Sequence, residues 1–178
     1  MWLAGVHPAT ADPSEQALIS LARTAVRAEV EGRPLPLPAE RSPSHPVFVT
    51  IERRGKVLGC RGDLEARAGS LQEEIVLAAR AASSHDPRYR PLKHSDLDDF
   101  CVTVTILRRL IPLDGPAAAA ALTPDDGLVL KSGDRTGVVL PWEGKSPGVR
   151  LEWAYRKAGV SPGTACRLYR MIAERFRG

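Results

Sequence analysis

Aromatic residues, cysteine and long apolar runs are scarce in this chain, and each shortage excludes a class of protein. Only 5% of the 178 residues are Phe, Trp or Tyr, too few for a regular series of rings that stack nucleic-acid bases. No stretch reaches the ~18 apolar residues of a membrane-spanning helix. The first residues, Met1 to Val6, lack the basic start and apolar core of a secretion signal. We therefore expect a cytoplasmic protein without a membrane segment.

Cysteine and histidine are also few and scattered. The three cysteines, Cys60, Cys101 and Cys166, form no C-x-x-C pair, and the four histidines show no metal-ligand spacing with them. An odd, widely spaced set of cysteines argues against a disulfide framework and a zinc ribbon. We therefore expect no metal and no cofactor.

The net charge of +4 is concentrated near the C-terminus, where residues 150–178 hold seven Arg or Lys against two Glu. Such a segment is typical of a phosphate-binding or nucleic-acid-binding surface, and equally of a solvated face that keeps a protein soluble. Its basic residues alternate with apolar ones, so any binding to nucleic acid should be weak and salt-dependent. Nucleic acid is not expected as a partner.

Length and composition fit one soluble globular domain, with 43% hydrophobic and 26% charged residues. We assign a single domain to residues 1–178. This domain could consist of two closely packed lobes. Five prolines between residues 33 and 46 predict an extended linker without a helix.

Helix and strand patterns alternate without a regular β-α-β repeat, which predicts an α+β fold with an antiparallel sheet and flanking helices. The first helix is predicted to be capped by Asp12 and to end at Gly32. The second opens at the capping box Ser70-Leu71-Gln72-Glu73. The remaining predictions are strands at 47–51, 57–64, 101–107, 127–130, 136–140 and 167–176, and helices at 117–121 and 150–158.

Cys60 is the first candidate for chemistry, because it stands between Gly59 and Gly62 on a predicted hairpin strand. Glycines allow a ligand or another backbone to approach closely. A neighbouring cation such as Arg61 or Arg88 would favour the nucleophilic thiolate form of a cysteine. The alternative is that Cys60 is a small buried hydrophobe.

The loop Asp86-Pro87-Arg88 offers a carboxylate and a guanidinium on a rigid turn. These groups could clamp an anion, or Asp86 could act as a general base. The structural alternative is a helix-terminating turn in which Asp86 binds backbone N–H groups and Arg88 pairs with a carboxylate. His85 precedes this loop and is a further acid–base candidate, although a histidine on a loop is commonly only solvated.

Several segments resemble the AMMECR-domain family, named for a candidate protein of the AMME-syndrome chromosomal region. Leu58-Gly59-Cys60-Arg61-Gly62 is similar to its L-R-G-C-I-G, and Asp86-Pro87-Arg88-Tyr89-Arg90-Pro91-Leu92 to its D-P-R-F-x-P-L. Later blocks, at 126–128, 137–141 and 157–160, follow in the same order, so the resemblance covers roughly residues 15–178.

The resemblance implies an α+β fold with two antiparallel β-rich repeats and an activity that is not established for the family. It also implies joint action with Memo-like or radical-SAM proteins. Leu58 and Arg61 stand where the family has Arg and Ile, and Thr103 stands where it has Glu.

Two functions from different classes follow. The first is an enzyme, or an enzyme component, whose pocket contains Cys60 and the Asp86–Arg88 loop. Its substrate would be small and anionic, held by Gly59, Arg61, Gly62 and Arg88. The second is a module without enzymatic activity that docks a partner protein.

Overall fold

The structure is a computed structural model that describes residues 14–39, 41–144 and 146–178. It contains four α-helices, one short 3-10 helix (His94–Asp96) and six strands within those residues. In chain order they are α1 (Glu15–Val30), β1 (Val47–Arg53), β2 (Lys56–Gly62), α2 (Leu71–Ser84), β3 (Phe100–Leu113), α3 (Gly115–Ala120), β4 (Gly127–Ser132), β5 (Arg135–Val139), α4 (Pro147–Ala158) and β6 (Arg167–Arg177). The strands form one sheet in the order β2-β1-β3-β6-β4-β5. The predicted α+β class is confirmed.

Serine side chains cap the first turns of α1 and α2. Ser14 caps α1, because its side chain accepts a hydrogen bond from the backbone N–H of Ala17 at 3.2 Å. The predicted cap, Asp12, lies outside the described residues. Ser70 caps α2 as predicted, but the Glu73 carboxylate accepts from the N–H of Gly69 at 3.0 Å instead of closing the box on Ser70.

The chain divides into two compact units, and the first comprises Met1–Val104 with Phe176–Gly178. The antiparallel hairpin of β1 and β2 is followed by α2, which packs against both strands, while α1 packs against α2. The core between the hairpin and these helices is built from small and branched apolar side chains: Ala22, Val26, Val49, Ile51, Ile75 and Ala79.

The second unit, Thr105–Arg175, follows the same plan. The antiparallel hairpin of β4 and β5 is followed by α4, which packs against both strands. Its core cluster includes Leu128, Leu130, Val139, Ala154 and Tyr155. Each unit therefore repeats a hairpin followed by a helix, in agreement with the two β-rich repeats that the resemblance implied.

Helix α4 and strand β3 differ most from their predicted bounds. Helix α4 begins at Pro147, three residues before the predicted start, because Ser146 caps it through the N–H of Val149 and proline suits the first helical position. Strand β3 continues to Leu113, six residues past its predicted end, and its residues 102–107 are buried on both faces. Thr103 and Thr105 are 3% and 2% exposed, although they lie opposite its apolar face.

Residues 33–39 and 41–46 contain neither helix nor strand, as the prolines predicted. Within the described part of the chain, no helix combines the length and the apolar character needed to cross a bilayer.

Candidate functional site

Gly59 fixes the orientation of β2 against α2. A Cβ atom at this position would lie 2.0 Å from the backbone oxygen of Ala82, so only glycine permits this close approach. Successive residues of a strand point to opposite faces. Because Gly59 faces α2, the side chain of Cys60 projects from the other face of the hairpin.

Cys60 is held through its backbone and its sulfur. Its N–H donates to Oδ2 of Asp86 at 2.9 Å, and its carbonyl accepts from Nη2 of Arg88 at 2.6 Å. Directly across the hairpin, the Thr50 hydroxyl donates to Sγ of Cys60 at 3.1 Å. The half-buried Cys60 is therefore held at its sulfur by a side chain of β1 and at its backbone by side chains of the loop after α2.

Asp86 and Arg88 form the ion pair that holds this backbone. Nε and Nη2 of Arg88 donate to the two carboxylate oxygens at 2.9 and 2.8 Å, and the backbone N–H of Arg88 closes a turn on Oδ1 at 3.1 Å. The side chain of Asp86 is only 2% exposed, whereas that of Arg88 is 47% exposed.

The electrostatics of the pair favour its charged form. Burial by itself would raise the pKa of Asp86, but the hydrogen bonds from Arg88 and from the Cys60 backbone outweigh it, so the pKa lies below its usual value. The hydrogen bond to Asp86 raises the pKa of Arg88. A carboxylate with this many donors and a lowered pKa is a poor general base.

The other predicted site residues are divided between the two faces of β2. Gly62 shares the face of Cys60, and a Cβ there would lie 2.2 Å from the carbonyl oxygen of Val47. Arg61 pairs with Val49 and projects to the opposite face from Cys60, where it is exposed. The structure therefore does not bring Arg61 to the same face as the thiol.

His85 has a different set of neighbours from Cys60. It is the C-cap of α2, and its Nδ1 lies 2.6 Å from Oγ of Ser84 and 4.0 Å from a carboxylate oxygen of Glu29 on α1. The Ser84 hydroxyl donates to that same oxygen at 2.5 Å. These contacts link the ends of α1 and α2.

The second unit repeats the arrangement without a thiol. A Cβ at Gly137 would lie 2.0 Å from the backbone oxygen of Ala154, just as Gly59 approaches Ala82. The next residue, Val138, pairs with Val129 and has its carbonyl bound by Nζ of Lys157 at 2.9 Å. Lys157 forms an ion pair with Glu143.

Sequence reasoning missed a second polar cluster, which contains Cys101. Sγ of Cys101 lies 3.9 Å from a carboxylate oxygen of Glu52 and 3.5 Å from Nη2 of Arg177. Both partners are distant in sequence, by 49 and 76 positions. Cys101, Thr103 and Thr105 alternate along β3, but nothing in the sequence identifies the charged partners of Cys101.

Comparison with known proteins agrees with this architecture. The AMMECR1 family model matches residues 19–178. A protein of Aeropyrum pernix is 37% identical over 93% of this chain and 77% of its own length. One of Methanothermobacter thermautotrophicus is 31% identical over 89% and 91% of the two chains. The crystal structure of the uncharacterized protein PH0010 from Pyrococcus horikoshii superposes with a TM-score of 0.75 at 26% identity, over 90% of this chain and 89% of that one. The chain belongs to the AMMECR1 family.

Proposed function

We propose that this protein is an enzyme, or an enzyme component, that acts on a small anionic substrate at a site where Cys60 is the candidate nucleophile. The observation that carries the proposal is the fixation of Cys60 at three atoms. Asp86 binds its backbone nitrogen, Arg88 its carbonyl oxygen, and the Thr50 hydroxyl its sulfur. A nucleophile held in a single orientation loses less entropy on reaching its transition state.

Comparison with the second unit indicates which residues of this site are structural and which can react. There, too, an acidic and a basic side chain pair beside the hairpin, and the basic one binds a strand carbonyl. The facing residues are Val129 and Val138, which have no reactive group. The ion pair is thus a structural feature that both units share. At the two facing positions, only the first unit has a hydroxyl and a thiol. Asp86 and Arg88 are positioning residues in this proposal.

Arg88 also supplies the charge that an anionic substrate needs. Its Nε and Nη2 are engaged by Asp86 and Cys60, and its Nη1 has no hydrogen-bond partner among the described residues. A half-exposed guanidinium with a remaining pair of N–H donors is suited to a carboxylate or a phosphate. We assign the activity to the cytoplasm and, as the resemblance implied, to a pathway shared with Memo-like or radical-SAM proteins.

Site-resolved alkylation tests the proposed nucleophile. The chain is treated with iodoacetamide between pH 5 and 10, and the modification of each cysteine is followed by mass spectrometry. We expect Cys60 to react faster near neutral pH than an ordinary thiol of pKa about 8.5. Arg88→Met should slow the reaction of Cys60 and leave that of Cys166 unchanged. Cys166, near the Tyr155 hydroxyl, is the internal reference.

The matched control is Arg67→Met, which removes a guanidinium that is 71% exposed and, among the described residues, pairs only with Asp63. This variant should leave all three alkylation rates unaltered. If Cys60 reacts no faster than a model thiol in the native protein, the proposed nucleophile is wrong.

A docking function is the second candidate, and Trp142 favours it. The side chain is 54% exposed, and its backbone has a φ of 66°, a strained value for a bulky residue. Exposed aromatic side chains often anchor protein partners. Direct binding of a purified Memo-like protein, measured with the native chain and with Trp142→Ala, decides it. Equal binding by both chains, or none by either, would count against docking through Trp142.

A further inference from the structure

Cys101 is the centre of a charged cluster that the proposed function does not use. Its thiol is directed toward Oε2 of Glu52 at 3.9 Å, and its sulfur accepts a hydrogen bond from Nη2 of Arg177 at 3.5 Å. Arg177 also donates to Oε2 of Glu52 at 2.8 Å. A nucleophile beside a base that a third group orients is the general arrangement of an activated nucleophile.

A separate observation points to a ligand at this cluster. Thr103 is 3% exposed, and its Oγ1 is buried without a hydrogen-bond partner among the described residues. A buried polar group left unsatisfied costs about 1–3 kcal/mol, which a bound ligand would recover. Thr103 follows Cys101 by two positions in β3, so both side chains project from the same face of the strand.

We propose that Cys101 is the reactive thiol of a second site, which binds and reduces a small hydroperoxide. The peroxide would bind beside Cys101 with its leaving oxygen toward Arg177 and Thr103. A hydroperoxide fits because it offers one oxygen for attack by sulfur and an adjacent oxygen that becomes negatively charged. The guanidinium and the hydroxyl supply the donors for that charge.

The reaction converts a thiol and a hydroperoxide into a sulfenic acid and an alcohol, or water when the oxidant is hydrogen peroxide. Glu52 accepts the thiol proton as Sγ attacks the nearer oxygen. The S–O bond forms, the O–O bond breaks, and the leaving oxygen takes the proton from Glu52. Sulfur loses two electrons and the peroxide gains them, so no further reductant is needed for this step.

This site is independent of the proposed function. Cys60 lies on β2 opposite Thr50, whereas Cys101 lies on β3 and contacts Glu52. Inactivity of Cys60 would leave the peroxide site unaffected, and the reverse also holds.

The test measures sulfenic acid formation at each cysteine of the full chain. Reduced protein is exposed to hydrogen peroxide at pH 7, trapped with dimedone and analysed by site-resolved mass spectrometry. We expect the initial rate at Cys101 to exceed that at Cys166 by about tenfold or more, a difference of ~1.4 kcal/mol in barrier. Glu52→Gln should remove most of this advantage.

Thr103→Val separates ligand binding from folding. Valine keeps the shape of threonine and removes only the unpartnered hydroxyl, so the variant should fold at least as stably as the native chain. We expect peroxide oxidation of Cys101 to slow about tenfold, while its alkylation by iodoacetamide stays constant. Thr105→Val, at another buried threonine of the same strand face, is the matched control and should change neither rate.

Two results would overturn the proposal. One is oxidation of Cys101 no faster than that of Cys166 in the native chain. The other is an unchanged oxidation rate in Thr103→Val, which would mean that the hydroxyl has no part in binding the peroxide.

Discussion

At the scale of single residues, the two close approaches between strand and helix are the tightest constraints. Gly59→Ala and Gly137→Ala would each place a methyl group 2.0 Å from a helix carbonyl oxygen. Because the obstacle is backbone and cannot move aside, we expect each variant to lose about 3 kcal/mol or more of unfolding free energy. Urea denaturation measures this loss.

Gly148→Ala is the matched control, since a Cβ there meets nothing within 4 Å. Gly148 lies in α4, so alanine should stabilise the protein by about 0.5–1 kcal/mol. Equal stability losses at all three glycines would contradict the steric explanation.

Asp86→Asn tests the ion pair through its dependence on pH. The pKa of Asp86 is lowered in the folded state, so its stabilising contribution is present above the unfolded-state pKa of about 3.9 and disappears as the pH falls through the folded-state pKa. We expect the variant to be about 2–3 kcal/mol less stable at pH 7. The two unfolding free energies should converge in acid. A difference that stays constant down to pH 2 would show that the charge of Asp86 is not responsible.

Sequence patterns singled out Cys60 and the Asp86–Arg88 loop as candidate site residues because neighbouring glycines and a proline mark them locally. They also suggested, as one of two alternatives, the turn in which Asp86 binds backbone N–H groups, and this is the observed geometry. Arg61 projects from the opposite face to Cys60 because of the strand register, which Gly59 sets by packing against α2. Local sequence does not contain that contact.

At the scale of elements, capping signals predicted the start of α2 correctly, but the predicted start of α4 is three residues too late. Ser146-Pro147-Gly148 has the composition of a turn, yet Ser146 accepts from the N–H of Val149 and begins the helix. Strand β3 continues to Leu113, six residues beyond its predicted end at residue 107. The burial of Thr103 depends on packing by residues distant in sequence.

Ser70→Ala tests the cap of α2. The substitution removes the acceptor for the N–H of Glu73, so we expect a loss of about 1 kcal/mol of unfolding free energy. Ser161→Ala, outside any helix, should have a much smaller effect. Thermal unfolding followed by circular dichroism compares the two. A loss of stability no greater in Ser70→Ala than in Ser161→Ala would show that the Ser70 cap does not stabilise the protein.

At the scale of the whole molecule, the positive charge near the C-terminus is largely compensated within each unit. Arg170 pairs with Asp126 in the second unit, and Arg177 pairs with Glu52 in the first. Neither guanidinium is left as an isolated positive charge for phosphate groups. Of the seven basic residues at 150–178, four form ion pairs within their own unit (Arg156, Lys157, Arg170 and Arg177), which reduces the positive charge available to phosphate groups.

We accordingly expect no saturable binding to tRNA or single-stranded RNA at about 0.15 M salt, close to physiological ionic strength. Fluorescence anisotropy with labelled RNA measures this, and a titration in low salt serves as the positive control for weak electrostatic association. Sub-micromolar affinity that persists at physiological salt would contradict the prediction and favour nucleic-acid binding as the function.

Protection by substrate tests most directly whether Cys60 acts on a small anion. The native chain is alkylated with iodoacetamide in the presence of anionic and cationic fractions of a cell extract, and each cysteine is followed separately. We predict that an anionic fraction slows the modification of Cys60 and leaves Cys166 unaffected. Arg88→Met should abolish this protection. Protection by no fraction, or equal protection in Arg88→Met, would contradict a Cys60 site for small anions.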